Sequence, residues 1–72
     1  MTSLKEAREA LALSQFELAK RTGTNQSVIS KLELGRRQLT ARWAVKLALV
    51  LAITPLDLLA AEVRRIERRR RV

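Results

Sequence analysis

Gln26, Ser27, Val28, Ser30 and Lys31 fall within six consecutive positions and bring together a carboxamide, two hydroxyls, an ammonium group and a pair of branched methyls. A carboxamide donates and accepts in one plane, a hydroxyl does either, and an ammonium only donates. This is chemistry for reading hydrogen-bonding edges, and it suits base pairs in a major groove. The bland alternative is a polar helix face that water solvates. Bond-making chemistry is not indicated, because the chain has no histidine and no cysteine. That removes the usual general base, imidazole and thiolate metal ligands, and disulfides together. No catalysis, metal or cofactor is expected.

The five residues need an element that faces them outward. At helical period, Leu18 and Ala19 face one way before Gly23, and Ile29 and Leu32 face back toward them after it, which predicts two short helices across a tight turn. A small residue at Ala19 lets the helices cross closely, and Gly23 offers a left-handed end at no steric cost. Asn25 is expected to cap the second helix. That helix should run from about Gln26 to Glu33 or Leu34 and stop at Gly35.

Gln15, Leu18, Ala19, Gly23, Ile29, Leu32, Glu33 and Gly35 together resemble the helix-turn-helix of the Cro and cI repressor family, also called the xenobiotic-response-element family. The resemblance extends from about Leu4 to Leu59. It implies an all-α, five-helix, lambda-repressor-like domain with the helix-turn-helix at helices 2 and 3. It also implies that Arg8 pairs with Glu33, the glutamate of an L-E-x-G motif. The chain departs from the family where Leu34 replaces the usual asparagine of that motif, where Ala52 stands in place of the glycine that usually ends helix 4, and where Phe16 and Trp43 occupy commonly polar positions. A modified, right-handed turn is expected at Ala52, since a left-handed alanine costs about 1 kcal/mol.

Composition bounds the rest. Seventy-two residues make one small domain with a modest core. With one Phe, one Trp and no Tyr in a chain that is 47% hydrophobic, that core must be aliphatic, which favours packed helices. Net charge is +8, which favours a polyanion partner. The last nine residues hold six arginines against Glu67, a net +5, so the other 63 carry only +3. The chain therefore divides into a domain over residues 1–63 and a basic extension over residues 64–72. The run from Glu67 to Val72 repels itself, and is either an extension of the last helix or a tail that is disordered in the free protein. Without a leader or an apolar run long enough to span a bilayer, a soluble cytoplasmic protein with no membrane partner is expected.

Local signals place the other helices. Ser3 and Glu6 form a capping box for a first helix over about Leu4 to Ala12, with Leu4, Ala7, Arg8 and Leu11 on one side. Ser14 and Glu17 repeat the box, with Leu13 and Leu18 as a hydrophobic staple. Thr40 caps helix 4, whose apolar positions are Ala44, Val45, Leu47, Ala48 and Leu51. Thr54, Pro55 and Asp57 start helix 5, where Leu56, Leu59, Val63 and Ile66 form a stripe reaching two or three turns beyond the resembling domains.

These expectations converge on double-stranded DNA as partner and on a transcriptional regulator, most simply a repressor. Gln26, Ser27, Val28, Ser30 and Lys31 would read bases. Gln15, Asn25, Arg36, Arg37 and Arg42 would hold the sugar-phosphate backbone, the start of helix 2 supplying free N–H groups. A homodimer on an inverted repeat is expected, because one copy reads too few bases to be selective. Its contacts, or those to a protein partner such as a toxin, fall to Leu56, Leu59, Val63 and Ile66. Phe16 and Trp43 either pack under the tail helix or sit at a subunit contact.

Overall fold

Serine or threonine ahead of four of the helices, and asparagine ahead of the third, start each one by offering a side-chain oxygen to an orphan backbone N–H. The computed structural model describes residues 3–70, with side chains for residues 3–68, and among them five helices and no strand. These are α1 (Leu4–Ala10), α2 (Gln15–Thr22), α3 (Gln26–Leu34), α4 (Ala41–Leu51) and α5 (Pro55–Arg70). Ser3 with Glu6 and Ser14 with Glu17 close reciprocal capping boxes. Thr40 accepts from the Trp43 N–H, and Thr54 from the Asp57 N–H.

The first four helices end alike. In each, one residue takes a left-handed conformation, and the next donates its N–H to a carbonyl five residues back. Leu13 thus bonds Arg8, Thr24 bonds Ala19, Arg36 bonds Lys31 and Ile53 bonds Ala48. The left-handed residues are Ala12, Gly23, Gly35 and Ala52, with φ of 55°, 76°, 76° and 57°. The Ala52 turn is therefore not the modified one expected, and it carries a cost of about 1–2 kcal/mol that the closing bonds offset. Ala12 does the same at α1, which ends at Ala10 rather than Ala12. The early stop swings Leu11 out to 44% exposure, and Leu13 takes its expected place in the core.

The core is aliphatic. Leu18, Ile29, Leu32, Leu47 and Leu58 are almost fully enclosed, and α2 packs on α3 and α4, α4 on α5, and α1 on α3. Val45 lies outside it, half exposed. Helix α5 departs furthest from expectation. Its core face carries Leu58 and the buried carboxylate Glu62, whereas Leu56 and Val63 are exposed and Leu59 and Ile66 are half-buried. Its backbone is helical without a break through Arg70. Arg71 and Val72, and the side chains of Arg69 and Arg70, lie outside the described residues.

Candidate nucleic-acid interface

Asn25 fixes where α3 begins. Its Oδ1 accepts from the Val28 N–H at 3.0 Å, leaving the first turn of α3 to face solvent. Gln26 and Ser27 are exposed there and Lys31 is exposed in the last turn, while Ser30 and Val28 are half-buried, with Val28 packed against the core. Asn25 is itself exposed. Its carbonyl is occupied by the cap, so what it offers outward is the amide N–H pair.

Helix α3 is held at a fixed angle by one buried polar cluster. Arg8 donates from Nε to Glu33 Oε2 at 2.7 Å and from Nη2 to Glu33 Oε1 at 3.1 Å. Its Nη1 donates to the Leu13 carbonyl at 2.8 Å. The Arg8 side chain is 12% exposed and that of Glu33 3%, so the pair is largely desolvated, and the hydrogen bonds to Glu33 raise the Arg8 pKa. Gln15, half-buried at the start of α2, donates to Glu33 Oε1 at 3.1 Å and takes a long contact of 3.5 Å from Gln26 Nε2. A connected path thus runs from α1 through Glu33 to the first residue of α3. It orients Gln26 by way of Gln15, whose amide is partly committed inside the protein.

The loop after α3 and the first turn of α4 carry the flanking cations. Arg36, Arg37 and Arg42 are all exposed. Arg37 does not stand alone, because its guanidinium carbon lies 5.4 Å from the centroid of the Trp43 ring, with Lys46 Nζ 5.2 Å away from the same centroid. Cations at that range are attracted to the ring face. Trp43 is half-buried and packs against the core edge. It therefore serves as a platform that gathers Arg37 and Lys46. Lys46 escaped the sequence reading; its three-residue offset from Trp43 was the available signal.

Two other polar residues were missed. Glu62 Oε2 accepts from the Leu39 N–H at 3.0 Å, and Arg65 donates to the carbonyls of Leu32 and Glu33 at 3.0 and 3.2 Å. Leu58, Glu62 and Arg65 stand at i, i+4 and i+7, one helical face, and that spacing was the signal available. The apolar stripe beside them fitted the helical period as well and masked it. Among the described residues, no group of acidic side chains is arranged to hold a metal ion, and no helix is long and apolar enough to cross a membrane.

The arrangement is an exposed polar helix start, braced by a desolvated ion pair and flanked by arginines. A family model described as helix-turn-helix matches residues 4–59. No curated protein and no solved structure matches the chain.

Proposed function

The chain belongs to the helix-turn-helix family of Cro/cI-type, or xenobiotic-response-element, DNA-binding regulators, and from that premise we propose that it is a cytoplasmic repressor that occupies an inverted-repeat operator as a homodimer. The observation that supports this most is the exposure of Gln26, Ser27 and Lys31 on a helix whose bearing Arg8, Glu33 and Gln15 fix. Sequence readout needs side chains held in register, and here the register is set from inside the domain.

Contacts divide by type. Gln26 bonds adenine in two places, Lys31 reaches guanine acceptors, Val28 touches a thymine methyl, and Ser27 and Ser30 bond either partner of a pair. Gln15, Asn25, Arg36, Arg37 and Arg42 hold phosphates and set register without carrying sequence information. Trp43 keeps Arg37 aimed. Residues 64–72 add electrostatic affinity to the domain of residues 1–63. Two-fold pairing through Leu56, Leu59, Val63 and Ile66 places half-sites about 34 Å apart, or a multiple of that.

A second reading has one observation in its favour. Leu49 is 81% exposed and Leu56 75%, more apolar surface than solvation of so small a domain favours. A partner protein would cover it, as in an antitoxin that also binds its own operator. Selection of bound sequences from random DNA at a stated salt concentration separates the readings. An enriched inverted repeat supports the dimeric repressor, whereas featureless enrichment would favour the interaction module.

A further inference from the structure

Helix α5 continues eleven residues past Leu59, where the family match ends, and two of those residues reach back to the ends of the loop that follows α3. The last carbonyls of any helix lack partners within it. In α3 the Lys31 carbonyl is taken by the Arg36 and Arg37 N–H groups, and the Leu32 carbonyl by a long bond from Gly35. Arg65 adds two more bonds: Nη1 donates to the Leu32 carbonyl and Nη2 to the Glu33 carbonyl, a forked cation at the negative end of the helix dipole. It gets there by crossing Gly35. A Cβ at that position would lie 3.1 Å from Arg65 Cδ and 3.2 Å from Nη1, so the missing side chain makes room for the guanidinium as well as permitting the left-handed turn.

Glu62 holds the other end of the loop. Its buried carboxylate accepts the Leu39 N–H through Oε2, and Oε1 lies 3.9 Å from Arg65 Nη1. One acid and one arginine on a single face of α5 thus fix Leu32 and Glu33 before the loop and Leu39 after it. Arg36 and Arg37 lie between these anchors.

We infer that Glu62 and Arg65 are positioning residues for DNA recognition, a clamp built from the extension of α5 that sets the exit of α3 and the path of the arginine loop. The inference rests on the DNA-binding reading above. It places the specificity contribution of the extension in two side chains facing the protein, distinct from the solvent-facing arginines around them.

The test uses full-length protein carrying Arg65→Lys or Glu62→Ala, with folding checked by circular dichroism. Lysine keeps the charge but cannot make both carbonyl bonds. Arg65→Lys should lower affinity for the selected operator by about 2- to 30-fold. Its affinity for random DNA and its salt slope should match those of the unaltered protein. Wild-type operator affinity in Arg65→Lys would overturn the clamp, since charge alone would then suffice. Amide hydrogen exchange on the same proteins reads the clamp without DNA: Glu62→Ala should speed exchange at Leu39 and leave Leu47 in the core unchanged. Unchanged exchange at Leu39 would overturn the clamp even if DNA binding held. Failure of the unaltered protein to enrich any sequence would overturn the DNA-binding reading and, with it, the recognition role of the clamp.

Discussion

Replacing Arg8 with methionine should destabilise the domain strongly. Glu33 is 3% exposed and takes two hydrogen bonds from Arg8, so the substitution leaves a buried carboxylate without its counter-charge. Breaking one side of such a pair costs about 3–5 kcal/mol. The remaining bond from Gln15 at 3.1 Å places the cost near the low end, about 3 kcal/mol. For a 72-residue chain, total stability is on the order of 4–11 kcal/mol, so the loss is a large part of the margin. At about 4–8 °C per kcal/mol for a domain of this size, Tm should fall by roughly 12–24 °C. Thermal melts followed by circular dichroism at fixed salt give the number. Replacing Glu33 with methionine as well should recover most of the loss, because apolar substitutes for a buried pair are often nearly neutral. A single substitution within about 0.5 kcal/mol of the parent would refute the reasoning, since changes that small belong to unremarkable surface positions. So would a double substitution no better than the single one.

Three further outcomes are expected. Replacing Arg68, Arg69, Arg70 and Arg71 with glutamine should weaken binding to all DNA alike and flatten the salt dependence by about 0.9 in logarithmic slope for each phosphate no longer neutralised; a weakening confined to one operator would contradict this. Ala52→Gly should stabilise the domain by about 0.5–1 kcal/mol in a urea titration, since the left-handed turn at φ 57° is strained for alanine; a destabilised variant would contradict it. Glu6 and Glu17 are held below the ordinary carboxylate range, Glu6 by the Ser3 hydroxyl and then its N–H, Glu17 by the Ser14 N–H and then its hydroxyl. A depressed folded value means their contribution is complete above the ordinary carboxylate range and is lost as pH falls through the folded value. Ser3→Ala with Ser14→Ala should therefore shrink the acid-induced loss of stability, and an unchanged acid profile would contradict the assignment.

Legibility in the sequence followed the range of the interaction. The capping boxes at Ser3 and Ser14 and the turns at Gly23 and Gly35 were readable because the residues that make them lie within a few positions of one another. Arg8 with Glu33 is 25 residues apart and was reached through the family resemblance, not through periodicity. The end of α1 and the handedness of the turn at Ala52 were not readable, because alanine carries no local signal for a left-handed turn. Leu11 was consequently grouped with Leu4 and Ala7, whereas the early stop leaves it exposed. On α5 the apolar stripe was followed, although the core side is Leu58, Glu62 and Arg65. Charged residues read as a solvated face until their distant partners, the Leu39 N–H and the α3 carbonyls, are known. Arg37 with Trp43 joins the loop to α4 and was hidden for the same reason.

The claim that α3 reads bases is tested most directly by Gln26→Ala, assayed on the selected operator and on random duplex at one salt concentration. The variant should lose about 1–3 kcal/mol of binding on the operator and almost none on random DNA. Equal losses on both would show that Gln26 touches only the backbone, and no loss on either would remove the start of α3 from the interface.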